Sequence, residues 1–224
     1  MNKLLSETQQ LLKEANFDWA FCGGWAIDLF LGKQTREHSD IDICVFSETR
    51  SDVITFMTRP GWTLYDYTGR GTVHLNTGHD EPEYAGKSLC AARYDNKIFR
   101  FVPIGNNFFR LEYQQVNQTA PDFIDFIFND RNDGWFYCAW NAPELKIKRE
   151  LDSAILSRDG IPYLAPEIAL LFDSREYENS GHDFETSISR MNSKQSAWLR
   201  DSLKLCYPEG HPWIDRLLSD NVNE

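Results

Sequence analysis

Residues Phe21–Phe46 read "FCGGWAIDLFLGKQTREHSDIDICVF", in which four kinds of segment follow one another. "FDWAFC", which enters the stretch from Phe17, is short and apolar and predicts a buried strand. Gly23 and Gly24 leave that strand as a turn. "WAIDLFLG" has the spacing of a compact helix stopped by Gly32, because glycine readily takes the left-handed conformation that ends a helix. "KQTREHS" is a polar loop, and "DIDICVF" predicts a second strand with alternating faces at its start. The order is strand, turn, helix, loop, strand.

Residues i and i+2 of a strand project from one face, so Asp40 and Asp42 bring two carboxylates close together. Such a pair is a hard oxygen site of the kind Mg2+ takes, with waters and substrate phosphates completing its shell. A bare D-x-D is most often a solvated strand end, and glycines after a strand are most often a plain turn. Their combination is more selective. Glycines that open a helix let backbone N–H groups approach an anion at the positive end of the helix dipole. A phosphate cradle followed by a metal pair on the next strand suits a nucleoside triphosphate with its Mg2+.

Upstream, Leu4, Leu5, Leu11, Leu12 and Ala15 predict an amphipathic first helix. Downstream, "SDVITFMTRPGW" predicts a helix closed by Pro60 and Gly61. "WTLYDY", "TVHL", "KIFRFVPI", "FFRLEYQQV", "DFIDFIF" and "WFYCAW" then read as successive strands of a mixed sheet. From about Pro143 the pattern turns helical, near 145–156, 166–178, 182–192, 195–206 and 211–219. The expected fold class is α+β: a mixed β-sheet with flanking helices over 1–142, followed by a helical C-terminal domain over 143–224.

With 224 residues and 42% hydrophobic composition, the chain can bury a substantial core. No apolar run approaches the roughly 20 residues of a membrane-spanning helix, and "MNKLLSETQQLLKEANFDW" mixes apolar and charged residues, so a cytoplasmic protein is expected. Cys22, Cys44, Cys90, Cys138 and Cys206 are odd in number and form no C-x-x-C pair, which predicts reduced thiols, with Cys22 and Cys44 in the core. The net charge of −11 makes nucleic acid a poor partner and favours a cationic small molecule.

"GGWAIDLFLGKQTREHSDID" resembles the signature of the nucleotidyltransferase superfamily related to DNA polymerase beta: a glycine pair, a short helix, and D-h-D on the next strand, where h is hydrophobic. The spacing of G-G-W-A-x-D, T-R-x-H and D-h-D is similar to that of the small-molecule branch, the aminoglycoside and lincosamide nucleotidyltransferases. "DGIPYLAPEIALLF" and "DFETSISRMNSKQSAWLRDSL" resemble the helical C-terminal part of aminoglycoside-2''-adenylyltransferase-like proteins, while about 50–120 matches poorly. The resemblance implies a nucleotidyltransferase fold, ATP or another nucleoside triphosphate as co-substrate, and Mg2+ held by Asp40, Asp42 and a third carboxylate on a neighbouring strand. Asp125, in "DFIDFIFNDRNDGWF", is the candidate, with Asp122 and Asp130 as alternatives. A carboxylate in an apolar strand is costly to bury unless paired or bound to metal. The same resemblance implies nucleotide binding at Gly23 and Gly24, and contacts of Arg36 and His38 with the phosphates or the local turn. Asp28, Trp25 and Glu167 read as structural residues: the first stabilising its helix, the second packing, the third favouring a helix start.

Relatives carry a lysine in the helix corresponding to "EIALLFDSREY" and a Lys-Asp pair before D-F-E. Here those places hold Asp173 and "NSGHDFE", so if those lysines neutralise the triphosphate this chain uses others, such as Arg175, or binds nucleotide weakly. The implied reaction is Mg2+-dependent transfer of a nucleoside monophosphate, AMP from ATP, to a hydroxyl of an aminoglycoside- or lincosamide-like acceptor. The alternative is a non-catalytic nucleotide-binding regulator with the same fold. Within "EPEYAGK", Glu81 and Glu83 read first as solvated loop charges, the alternative being contact with cationic groups of an acceptor.

Overall fold

The computed structural model describes residues 2–59, 61–78, 86–114, 118–138 and 143–219. The chain opens with α1 (Lys3–Leu12), β1 (Ala20–Phe21), α2 (Gly23–Leu31), β2 (Asp42–Phe46) and α3 (Arg50–Met57). Strands β3 (Trp62–Gly69), β4 (Thr72–Leu75), β5 (Ser88–Arg93), β6 (Phe99–Gly105), β7 (Phe108–Tyr113), β8 (Phe123–Asn132) and β9 (Trp135–Tyr137) follow. After them come β10 (Lys148–Glu150), a single turn α4 (Leu151–Ala154), β11 (Ile155–Arg158) and β12 (Ile161–Leu164). Helices α5 (Pro166–Asp173), α6 (Gly181–Ile188), α7 (Ser193–Cys206) and α8 (Pro212–Ser219) complete the described chain. The architecture is mixed α+β, and no described helix is long and apolar enough to cross a membrane.

Two compact units divide the chain. One comprises Met1–Trp19 with Arg36–Asn129, the other Ala20–Thr35 with Asp130–Glu224, so the grouping does not follow a single cut at 142/143.

In the first unit the strands run in the order β2-β8-β5-β3-β4-β7-β6. Only the β2–β8 pair within this path is parallel. Ile43, Cys44, Val45 and Phe46 are buried, and such a continuous apolar run belongs to a strand covered on both faces. Helix α3 lies on the face of Asp66 and Phe128: Arg50 pairs with Asp66 and covers the Phe128 ring at 4.6 Å. The sheet is rolled, since Phe99 of β6 lies 4.7 Å from Phe123 of β8 although four strands separate them in the sheet order. Strand β5, "SLCAAR", was not anticipated. Its small residues carry neither alternation nor strand propensity, and its place is fixed by pairing on both sides with β3 and β8.

In the second unit β12 pairs in parallel with β1 and antiparallel with β11. Helices α5 and α6 pack with α2, and α7 packs with α5 and α8. Helix α7 starts in a reciprocal cap in which Asn192 and Gln195 each bind the other's backbone N–H. The helices expected over 166–178, 182–192, 195–206 and 211–219 are present as α5 to α8. The helix expected over 145–156 is not: that segment forms β10, the single turn α4 and the start of β11. The reason is a two-residue turn at Asp159 (φ 53°) and Gly160 (φ 77°), which folds β11 onto β12. Pro60, Glu81 and Glu83 lie outside the described residues.

Candidate active site

The carboxylates belong to the first unit. Asp42 begins β2, and Asp40 precedes the strand by two residues. Strand β8 places Asp125 directly beside Asp42, with the Asp125 N–H donating to the Ile41 carbonyl at 2.8 Å. Paired residues on neighbouring strands share a face, so both carboxylates project from the same side of the sheet. Ile124, Phe126 and Phe128 fill the other side and are buried. The row continues from Asp125 to Cys90 on β5 and Tyr65 on β3. Asp40, Asp42 and Asp125 all keep partial access to solvent.

Burial pushes the Asp125 carboxyl up to about 6; the Ser88 hydroxyl and Cys90 thiol hold it down in part, and the charge of Asp40 raises it. The Cys90 Sγ lies 3.7 Å from Asp125 Oδ1. Burial, then the nearby Asp125 charge, keeps that thiol well above its usual range, so it is a neutral neighbour. Neither Ser88 nor Cys90 was found from the sequence, because the strand that carries them has no local signal.

The alternatives to Asp125 are placed differently. Asp122 precedes β8 and lines a surface depression with Glu7, Arg93 and Asp95. Asp130 is exposed and opposite Tyr137. Of the three, Asp125 is the one in register with Asp42.

For Mg2+, the donor chemistry fits: hard carboxylate oxygens in one row, with a half-buried acid whose charged neighbour is another acid. Among the described residues, no three His, Cys, Asp or Glu side chains already stand together as a cage for a metal. The row supplies some ligands, and waters and phosphates would have to supply the others.

The glycine pair belongs to the second unit. Gly23 opens α2 at φ +58°, a conformation that strains any residue with a Cβ. The preceding Cys22 gives no side-chain cap, and the first turn of α2 holds no acidic residue. At the far end Gly32 takes φ +74° and its N–H donates to the Asp28 carbonyl, as the stop signal requires. Asp28 acts there and not at the positive end: its carboxylate accepts from the Thr35 backbone N–H and hydroxyl at 2.9 and 2.7 Å, pinning the loop after the helix. Trp25 is buried as a packing residue.

Arg36 is exposed, with its Nη1 donating to the Glu37 carbonyl. His38 is buried. In the second unit, Arg175 is exposed in the turn after α5, and Glu167 is fully buried in the first turn of α5, 2.9 Å from Arg149.

The sequence profile of the aminoglycoside-2''-adenylyltransferase family matches residues 4–82. No curated protein matches the chain. Among solved structures, the lincosamide antibiotic adenylyltransferase LnuA with lincomycin bound is 20% identical, with 83% of this chain and 94% of that one covered and a TM-score of 0.47. The antibiotic-resistance factor ANT(2'')-Ia in solution is 13% identical over 92% and 91% of the chains, with a TM-score of 0.47. ANT(2'')-Ia in complex with adenylyl-2''-tobramycin is 14% identical over 96% and 93%, with a TM-score of 0.41. The segment of this chain that carries the glycine pair and Asp40-x-Asp42 is thus the part similar to the aminoglycoside-2''-adenylyltransferase family, and Asp125 lies outside the matched residues.

Proposed function

We propose that this protein is a Mg2+-dependent nucleotidyltransferase that moves a nucleoside monophosphate, AMP from ATP, onto a hydroxyl of a small molecule. The observation that carries the reading is the pairing of Asp42 with Asp125 on adjacent parallel strands, next to Asp40 and within reach of solvent. The family match over 4–82 supports it. Gly23 and Gly24 open a helix whose first turn holds no acidic residue, which suits an anion, and Arg36 and His38 precede β2. Asp40, Asp42 and Asp125 would hold Mg2+, which neutralises charge on the triphosphate. Asp125 orients the acceptor hydroxyl and takes its proton. As the acceptor oxygen bonds to the alpha phosphorus, the bond to pyrophosphate breaks. The charge of −11 favours an acceptor with cationic groups.

Calorimetry with a non-hydrolysable ATP analogue, with and without Mg2+, tests the site. Asp42→Ala is expected to lose Mg2+-dependent binding by at least about tenfold. Equal binding by both proteins would remove the metal role. A second reading, a nucleotide-binding regulator, draws on the open carboxylate row and on Asp173 standing where relatives carry lysine. Mg2+-dependent pyrophosphate release with tobramycin, lincomycin or another hydroxylated acceptor excludes it, whereas nucleotide binding without release across the panel favours it.

A further inference from the structure

We infer that Ser88 is a positioning residue whose hydroxyl holds the Asp125 carboxylate so that one of its oxygens stays free for the metal. The metal role of Asp125 rests on the transferase reading; the placement of Ser88 beside it does not.

Strand β5 runs antiparallel to β8, with Cys90 opposite Asp125 and Ser88 opposite Ile127. Residues two apart share a face, so Ser88 and Asp125 are diagonal neighbours on the side of the sheet that carries the carboxylates. The backbone is fixed there as well, since the Phe128 N–H donates to the Lys87 carbonyl at 2.8 Å. Beside Ser88 on this face stand Ile127, Cys90 and Ala92. Apart from Asp125, it is surrounded by small or apolar side chains.

Ser88 is fully buried, and among the described residues its Oγ has no hydrogen-bond partner. A hydroxyl taken out of water without a partner carries a desolvation cost that alanine in the same place would avoid. Packing therefore gives no reason for a serine here. Its one charged neighbour does. Burial weighs most on the Asp125 anion, and the Ser88 hydroxyl is near enough to answer part of that, though short of a full hydrogen bond.

Carboxylates that ligate metals are themselves held by hydrogen bonds, which set the direction of the ligating oxygen. The side-chain donors that face Asp125 come from β5: the Cys90 thiol, with Sγ 3.7 Å from Oδ1, and the Ser88 hydroxyl. A thiol is a weak donor, so Ser88 supplies the strong one. Serine has a single side-chain torsion to turn in completing the bond. The metal-free protein thus keeps an unbonded hydroxyl where a ligating Asp125 needs one.

Mn2+, a paramagnetic ion that takes oxygen ligands as Mg2+ does, is the probe. Electron paramagnetic resonance follows unbound Mn2+ in titrations of the full-length protein with a non-hydrolysable ATP analogue, and the binding counted is the part that Asp42→Ala loses. Ser88→Ala removes the hydroxyl. Ser88→Val and Ser88→Thr add the same bulk, and only the threonine keeps the hydroxyl. Melts in chelator identify the folded variants; where the bulkier pair does not fold, Ser88→Ala decides alone. The expected result is Mn2+ affinity about tenfold weaker in Ser88→Ala and Ser88→Val, with Ser88→Thr close to the natural protein. A serine that serves only the core would lower the melting temperature and leave the Mn2+ affinity of folded variants unchanged. Folded Ser88→Ala that binds Mn2+ as the natural protein does, equal weakening in the threonine and valine variants, or failure of Ser88→Ala to fold would each overturn the assignment and leave the transferase reading standing. Absence of any Mn2+ binding that Asp42→Ala removes would overturn both.

Discussion

Under the proposed reaction, Asp125 is where function and stability oppose each other most directly. Burial raises its carboxyl to about 6, Ser88 and Cys90 offset part of that, and Asp40 adds to it. Because the folded-state value lies above the ordinary 3.8, the group's contribution to stability is fully present below about 3.8 and is lost as pH rises through about 6. In the metal-free protein at pH 8 the ionised carboxylate is a cost. Asp125→Asn keeps the shape without the charge. It is expected to stabilise the metal-free protein by about 1–2 kcal/mol at pH 8 and by little at pH 4, while abolishing transfer. Thermal melts in chelator across that range check this, and an unchanged or lower Tm at pH 8 would contradict it. Asp40, Asp42 and Asp125 were legible because acidic residues at i and i+2, or in an apolar strand, conflict with local burial and so stand out. Cys90 was not legible, since its importance comes only from the strand pairing that sets it beside Asp125.

Among the elements, α5 shows what a buried charge requires. Glu167 is fully buried in its first turn, with Arg149 Nη2 at 2.9 Å. Burial raises its carboxyl above the usual range; its own backbone N–H, Arg149 and Gln195 only partly offset this. The stability it contributes is therefore present below its unfolded value of 4.5 and is lost as pH rises through the raised one. Arg149→Met removes the cation and leaves a buried anion alone. We expect a loss of about 3 kcal/mol at pH 7.5 that shrinks as pH falls toward 4.5 and Glu167 takes up its proton. Urea unfolding at the two pH values measures this, and an equal loss at both would show that packing over the Trp198 ring, 5.8 Å from the guanidinium, and not charge, is what Arg149 supplies. Helices α5 to α8 and the Gly32 stop were legible from spacing and caps. The segment 145–156, which holds β10 and the start of β11, was misread because one turn at Leu151–Ala154 imitates a helical period. The Asp159-Gly160 dipeptide, a strong hairpin signal, stood in the sequence unread.

At the scale of the whole molecule, the helical pattern expected from Pro143 begins only at Pro166, after β10 to β12, and the packing follows another grouping. Ala20–Thr35 groups with 130–224, although more than ninety residues of the first unit intervene. No local pattern encodes such a pairing, since β1 is two residues long and its partner β12 lies far along the chain. The consequence is specific. A fragment ending at 142 keeps the glycine pair but lacks β12, against which β1 pairs, and α5, against which α2 packs. The apolar side chains of α2, Trp25, Ala26, Ile27 and Leu29, are buried in the intact protein. In the fragment they lose α5 and β12, and a nine-residue helix is too short to persist without packing. The fragment 1–142 is therefore expected to unfold without a single sharp urea transition and to leave the α2 amides open to hydrogen exchange. Co-expression with 143–224 is expected to restore both. Protected α2 amides in the isolated fragment would instead mean that the first 142 residues fold as a domain of their own, and that the Gly23-Gly24 turn forms without the C-terminal helices.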